Sequence, residues 1–293
     1  MQSLTEIKSL LEANGLSPRK VFGQNFLIDH NLIRKLVDAS GAKAGDVVLE
    51  VGPGTGTLTE ELLARGCFVV AAEIDRGLAE LLRGRFASFG ERFVLVEGDC
   101  LDGKRTLASA ILDAVDAKIA IAAAVVPNPG RLFRLVSNLP YGAGTSVMAI
   151  LLADHPRCVS QAVTIQKEVA ERLMAPAGSR DFGPVSVLAQ AMADVKMVAT
   201  LPPECFWPRP DVTSAMVSLT RKSQPMTDHP RALLDIAQKV FERRRKQLGG
   251  VISGLVADGF EFPDGIQRTQ RAEELSITQF VALVEAIRRQ PGR

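Results

Sequence analysis

Between residues 46 and 219, short apolar runs rich in Val, Ile and Leu alternate with segments of helical period. That alternation is the pattern of a parallel sheet covered by helices. The runs that read as strands are 47–51, 68–72, 93–96, 132–137, 162–166, 196–200 and 212–219. Most are continuously apolar, as expected of strands buried on both faces. The last, Asp-Val-Thr-Ser-Ala-Met-Val-Ser-Leu, alternates, which predicts an antiparallel or edge strand. Seven such runs make one doubly wound α/β domain with a mainly parallel seven-stranded sheet, spanning 1–222 and including an N-terminal helical segment over 1–45. Residues 106–130, rich in Ala, Ile and Val, read as a helix followed by an apolar loop.

Beyond Leu219 the chain becomes polar and proline-containing, the mark of a linker. The remainder of the chain has helical period, and predicts a small all-helical domain over 229–293 with helices near 230–247, 249–258 and 276–289. No internal repeat is found. Of the 293 residues, 46% are hydrophobic and 23% charged, the balance of a packed globular protein rather than a fibrous or disordered one. The N-terminus, Met-Gln-Ser-Leu-Thr-Glu-Ile-Lys-Ser-Leu-Leu-Glu, carries acids and no basic-then-apolar order, so it reads as an amphipathic helix and not a signal peptide. No apolar stretch is long enough to span a bilayer. The four cysteines show no C-x-x-C spacing, and of the three histidines only His155 lies near one, Cys158, which argues against a metal site or a disulfide framework. A reducing cytoplasm is the expected setting. The net charge of +2 is neutral evidence about polyanionic partners, so any case for nucleic acid rests on local clusters.

The first strand runs into Glu50-Val-Gly52-Pro-Gly54-Thr-Gly56-Thr-Leu, a strand, glycine loop and helix. Glycines there let a ligand pass within contact distance of the backbone. The next strand ends in Glu73-Ile-Asp75, about 20 residues on, where a carboxylate can accept hydrogen bonds from both hydroxyls of a ribose. The third ends before Asp99, which can accept from an adenine amine. Three strand tips thus converge on a nucleoside. A dinucleotide fingerprint requires a third glycine at position 57, where this chain has Thr57, and the Gly-Lys-Ser/Thr of a phosphate loop is absent. The loop, with its preceding acid, resembles motif I of the class I S-adenosylmethionine-dependent methyltransferases.

The fourth strand ends in Asn138-Leu139-Pro140-Tyr141, containing the only tyrosine of the chain. The exocyclic nitrogen of adenine is a poor nucleophile, because its lone pair is delocalised into the ring. Aligning it with an electrophilic methyl, while acceptors bond its protons, is what catalysis requires. The Asn138 side-chain oxygen and the Leu139 or Pro140 carbonyl are such acceptors, and Tyr141 offers a ring on which an unstacked base can lie. The tetrapeptide resembles motif IV of the amino-methyltransferases, which modify adenine N6, cytosine N4 and glutamine amides.

Three flanking segments complete the pattern: Val21-Phe-Gly-Gln-Asn25-Phe-Leu27-Ile-Asp; Gln166-Lys-Glu-Val-Ala-Glu-Arg-Leu173; and Phe206-Trp-Pro-Arg-Pro-Asp-Val-Thr-Ser-Ala-Met-Val217. Together with the tetrapeptide they closely resemble the ribosomal RNA adenine N6,N6-dimethyltransferase family of the small ribosomal subunit, from about residue 15 to 287. The resemblance implies a Rossmann-like domain that binds S-adenosyl-L-methionine, and dimethylation of the N6 amines of two adjacent adenosines in a hairpin near the 3′ end of small-subunit RNA. It implies that Asn25, Leu27, Gly52, Gly54, Glu73, Asp99 and Asn138 contact the cofactor, that Asn138, Leu139, Pro140 and Tyr141 carry catalysis, and that Phe206 forms part of the target-base pocket. The chain departs from the family at three places. Gly142-Ala143 follows Tyr141 where the family commonly has Asn and an aliphatic residue, which loosens that turn; the 106–130 segment is longer; and Gly249-Gly250 follows the basic run.

Arg243, Arg244, Arg245 and Lys246 are four consecutive cations, expected on a helix that contacts RNA phosphates, with Arg19, Lys20, Arg221 and Lys222 adding to that surface. The reading as a whole is a cytoplasmic RNA methyltransferase, monomeric and without a metal, whose partner is small-subunit ribosomal RNA in an immature 30S-type particle. Its rivals are a large-subunit RNA adenine methylase, a ribosome-assembly or transcription factor that keeps the fold, and a dehydrogenase. Retained RNA affinity without methyl transfer marks the second, and nicotinamide binding the third.

Overall fold

A computed structural model of the chain describes residues 2–103, 105–126 and 132–290. The elements, in order, are α1 (Leu4–Ala13), β1 (Phe26–Leu27), α2 (His30–Ser40), β2 (Val47–Val51), α3 (Thr57–Ala64), β3 (Phe68–Glu73), α4 (Arg76–Phe86), β4 (Phe93–Glu97), β5 (Leu101–Asp102), β6 (Thr106–Leu107), α5 (Ser109–Ala123), β7 (Phe133–Asn138), α6 (Gly144–Asp154), β8 (Cys158–Gln166), α7 (Lys167–Met174), α8 (Pro184–Met192), β9 (Ala193–Leu201), β10 (Phe206–Trp207), β11 (Ser214–Arg221), α9 (Pro230–Glu242), α10 (Leu248–Ile252) and α11 (Ile277–Arg289). The apolar loop expected at the end of 106–130 falls partly outside the described residues.

All seven expected strands form one sheet, in the order β4-β3-β2-β7-β8-β11-β9. β2 pairs in parallel with β3 and β7, β3 with β4, and β7 with β8. β11 pairs antiparallel with β8. It is antiparallel, as its alternation predicted, but lies inside the sheet between β8 and β9, so β9 takes the edge. The core strands β2 and β3 are buried at every position. Side chains two apart share a face. The registers therefore place Glu50, Glu73, Asn138, Thr164 and Ser214 on one face, toward the ends of their strands. The same face carries Val48, Val69, Ala71, Val136, Ala162 and Met216, which pack against Ile33, Leu36 and Val37 of α2 and Leu58, Leu62 and Leu63 of α3.

The N-terminal amphipathic helix forms as expected. Ser3 and Glu6 make a reciprocal capping box at its start, and Ile7 and Leu11 bury with Phe26 and Leu78.

By internal packing the chain divides into two compact units: 1–151, 155–170 and 196–220; and 152–154, 171–195 and 221–293. The second therefore takes in 171–195, which the sequence assigned to the first domain. The reason is aromatic and helical packing. Phe182, just before α8, sits edge-on to Phe241 and Phe280 at 5.9 and 6.5 Å, and Phe241 stacks on Phe280 at 5.5 Å. α9 is shorter than the expected 230–247. It stops at Glu242, where Arg243 leaves helical geometry (φ −112°, ψ 38°), so the basic run lies in a turn. α10 is only five residues long. Gly249 there lies against Arg268, whose carbonyl its N–H meets at 2.9 Å; a Cβ would sit 3.3 Å from that oxygen.

Candidate functional site

The glycine loop is built against protein atoms. Gly52, Gly54 and Gly56 all have positive φ (71°, 61° and 86°), a region that costs any residue with a Cβ about 1–2 kcal/mol. A Cβ on Gly54 would lie 2.7 Å from the Phe26 ring, and one on Gly56 2.6 Å from the Phe86 ring. One on Gly52 would press on Pro140 at 3.2 Å. The sequence assigned these glycines to ligand approach; the structure adds that the loop needs them to pack beneath Phe26, Phe86 and Pro140. Arg85 holds the loop from behind, through the Thr55 carbonyl and Glu60.

Glu73 closes the strand beside the loop. Its carboxylate accepts from the Gly54 N–H at 3.3 Å and the Asp75 N–H at 2.9 Å. Burial outweighs those donors and pushes its pKa up to about 7. Glu50, at the end of β2, is fully buried, accepts from the Thr59 hydroxyl at 2.6 Å, and is pushed up to about 8 by burial, with Glu73 adding to the rise. Asp75 caps α4 by accepting from the Gly77 and Leu78 N–H groups. It also receives the Gln24 amide at 3.2 Å and faces the Arg19 guanidinium at 3.5 Å, while the Gln24 oxygen accepts from the Arg19 N–H at 2.7 Å. The 19–24 segment is thereby tied to the tip of β3. Asp99 is exposed beyond β4 and accepts from the Leu101 N–H at 2.9 Å.

The tip of β7 is held by partners far away in sequence. The Asn138 amide nitrogen donates to the Asn25 carbonyl at 2.8 Å. A carbonyl has only lone pairs to offer, so the nitrogen must face it, and Oδ1 takes the other edge of the amide. The Asn25 side chain donates to the Gly23 carbonyl at 3.1 Å, shaping that bend. The Pro140 carbonyl accepts from both Ala143 and Gly144 N–H groups, at 3.1 and 2.9 Å. Of the two carbonyls the sequence left open, Pro140's is thus engaged in the turn, and Leu139's, to which no bond is seen among the described residues, is the one left for a ligand. The Tyr141 hydroxyl meets the Ser214 hydroxyl at 2.5 Å, and burial raises the phenol pKa.

These tips surround one cavity of about 520 Å³, within the range of small-molecule sites. Asn25, Leu27, Gly52, Gly54, Glu73, Asp99, Asn138, Leu139, Pro140 and Tyr141 all line it, as do Lys20, Val21, Gln24 and Ile74. Acceptors at two adjacent strand tips, Glu73 and Asp99, with apolar Ala72 and Ile74 flanking Glu73 in the lining, match a ribose diol and an adenine amine. The donor chemistry therefore fits S-adenosyl-L-methionine.

Not every expected residue comes here. Phe206 is 2% exposed, pairs as β10 with Leu27 of β1, and packs in the main core, so it supports Leu27 instead of lining a base pocket. Arg244 bonds Glu273 and the Ser179 and Arg180 carbonyls, at 2.9 and 2.5 Å for the latter two, which makes it a structural tie. Arg243, Arg245 and Lys246 are exposed. Arg221 and Lys222 donate to the Leu152 and Gln190 carbonyls. Sequence reasoning missed Gln24, Asp75 and Ser214 as site residues. Gln24 stands within the first flanking motif and Ser214 within the third, so both lay in segments already singled out, though nothing there showed what either side chain meets.

The profile of the ribosomal RNA adenine dimethylase family matches residues 15–289. The chain is 37% identical over 287 residues to the ribosomal RNA small subunit methyltransferase A of Magnetococcus marinus, covering 97% of this chain and 96% of the relative. Its fold is similar to that of a dimethyladenosine transferase from Plasmodium falciparum, with a TM-score of 0.66 at 21% identity over 88% of this chain and 95% of that one. It is also similar to that of the 23S rRNA methyltransferase ErmE, with a TM-score of 0.59 at 21% identity over 90% and 100%. At that identity the two structures speak to the fold alone.

Proposed function

The chain belongs to the ribosomal RNA adenine dimethylase family and is an S-adenosyl-L-methionine-dependent rRNA adenine dimethyltransferase of small-subunit biogenesis; from that premise we propose how its residues divide the work. The two targets are adjacent adenosines of a hairpin near the 3′ end of the small-subunit RNA, met in an immature 30S-type particle by a cytoplasmic monomer. No helix among the described residues is long and apolar enough to cross a membrane.

Bound S-adenosyl-L-methionine supplies an electrophilic methyl group. Glu73 would accept from the ribose hydroxyls, Asp99 from the adenine amine, and the Gly52–Gly54 backbone would hold the methionine portion. Asn25 and Leu27 would cover it, with Gln24 and Arg19 fastening that segment to Asp75. At the tip of β7, Asn138 Oδ1 and the Leu139 carbonyl each accept one N–H of the target amine. Two acceptors return electron density to a nitrogen whose lone pair is otherwise spread over the ring, and hold that lone pair toward the methyl. Tyr141 stacks on the extruded base. The aminium formed on the substrate is strongly acidic and passes its proton to solvent, so no residue is required as a base. After the first transfer one N–H remains for the second round, and one of the two acceptors suffices. Arg243, Arg245 and Lys246 meet RNA phosphates.

The observation that carries this reading is the Asn138 amide, oriented by the Asn25 carbonyl at 2.8 Å so that Oδ1 is left for the substrate. Asn138→Ala should bind the cofactor nearly as well in calorimetry, yet transfer labelled methyl groups to unmethylated small-subunit particles about 10²-fold or more slowly. Near-normal turnover contradicts the role. Mass mapping of methylated adenosines in RNA from cells lacking the protein identifies the targets.

A further inference from the structure

We propose that Ser214 is a positioning residue for the target base: its hydroxyl fixes the outer end of the Tyr141 ring, and with it the ring's place beside the base, an inference that rests on the stacking role proposed for Tyr141. The two oxygens lie 2.5 Å apart. Ser214 has no exposed surface, while Tyr141 is half-buried and lines the cavity. A buried hydroxyl needs a partner, and these two satisfy each other.

The fold delivers Ser214 to this place through the antiparallel strand. Ser214 opens β11 opposite Gln166, and Met216, two residues on, lies opposite Thr164, the neighbour of Asn138 in β7. The backbone just before Ser214 is secured by the Lys167 N–H, which donates to the Thr213 carbonyl at 3.0 Å. Ser214 is therefore a fixed point on the sheet, on the same face as the Asn138 side chain.

The Pro140 carbonyl closes the turn on the backbone of Tyr141, but that turn does not reach the outer end of the ring, which is where the Ser214 hydroxyl acts. Gly142-Ala143 follows Tyr141, and a Cβ built on Gly142 would touch nothing within 4 Å. With Cα at one end and the phenol oxygen pinned at the other, χ1 and the long axis of the ring are set; the oxygen lies on the axis of χ2, so rotation about that axis is restrained only by the preference of the phenol O–H to lie in the ring plane. Without the pin the ring can still stack, but over a range of angles. A loosely placed base misaligns its amine with the methyl donor, and misalignment matters more in the second transfer, where the amine already carries one methyl group.

Tyr141 is the sole tyrosine, so 3-fluorotyrosine gives the full-length protein a single ¹⁹F resonance. The test compares Ser214→Ala, Tyr141→Phe, their double variant and Tyr141→Ala on unmethylated small-subunit particles with S-adenosyl-L-methionine. Ser214→Ala and Tyr141→Phe should each lower kcat about 3- to 10-fold, the worth of one neutral hydrogen bond. The KM for cofactor should hold, and the share of monomethylated adenosine should rise. The double variant should be no worse than either single one, and Ser214→Ala should shift the ¹⁹F line. Tyr141→Ala should lose about 5- to 150-fold, the worth of a base stack. Additive losses in the double variant, or a Ser214→Ala protein with wild-type kcat, product ratio and ¹⁹F line, overturn the role of Ser214 while leaving the stack standing. A Tyr141→Ala protein with wild-type kcat overturns the stack itself. Should Ser214→Ala fail to fold, Tyr141→Phe removes the same bond from its other end and leaves Ser214 in place.

Discussion

Arg244 and Arg245 are adjacent cations of one basic run, and alanine at each should give opposite phenotypes. The Arg244 guanidinium holds Glu273 and the Ser179 and Arg180 carbonyls, joining the turn after α9 to the 179–180 segment and to Glu273. Hydrogen bonds to a charged group contribute about 1.5–3 kcal/mol when well shielded. Here the two side chains keep 34% and 26% of their surface, so the ion pair itself is worth nearer 1 kcal/mol. With the two carbonyls added, Arg244→Ala should cost about 2–3 kcal/mol. In a chain of this size that lowers Tm by roughly 3–5 °C. Arg245 is exposed, so Arg245→Ala should leave Tm within about a degree. Instead it should weaken RNA binding and reduce the slope of log K against log salt by about 0.7–0.9, the release from one phosphate. Thermal melts and filter binding between about 50 and 200 mM salt read both. An Arg244→Ala protein with unchanged Tm, or an Arg245→Ala protein that melts early and keeps its salt slope, refutes the division.

Two further outcomes test the loop and its buried acid. Gly54→Ala places a Cβ 2.7 Å from Phe26 at a φ of 61°, so Phe26 and the segment it anchors must move. Cofactor affinity by calorimetry should fall at least about tenfold, equivalent to about 1.4 kcal/mol; unchanged affinity and Tm would show the loop to be freer than its packing. Glu50 has its pKa raised to about 8 in the folded protein, so its protonated form is favoured there. Its stabilising contribution is complete below the ordinary carboxylate value and is lost as pH rises through about 8. Glu50→Gln keeps an acceptor for Thr59 and cannot ionise. The variant should therefore lose less Tm than wild type between pH 5 and 9 and be the more stable of the two at pH 9, whereas parallel curves would place Glu50 in a wetter setting.

Much of the site was legible because it consists of local patterns. A strand running into Gly52-Pro-Gly54-Thr-Gly56 can only turn as it does with glycines at positive φ, and Glu73 and Asn138 end, and Asp99 closely follows, strands whose apolar runs are plain in the chain. Those runs also determined the seven strands of the main sheet, since burial on both faces leaves a continuous apolar signature, while the two short two-stranded sheets left no such mark.

What tertiary structure alone decided are relations between distant segments. The carbonyl that turns the Asn138 amide belongs to Asn25, 113 residues earlier, and the hydroxyl that holds Tyr141 comes from a strand 73 residues later. Hydrophobic periodicity tells which side chains are buried but not against what. Phe206 was therefore as good a candidate for a pocket as for the core, until the pairing of β10 with β1 placed it beneath Leu27. The place of β11 inside the sheet and the grouping of 171–195 with the C-terminal helices are likewise choices among packings that the local pattern leaves equal. A run of four cations carries no direction of its own; only the turn at Arg243 aims Arg244 inward at Glu273 and leaves its neighbours to solvent.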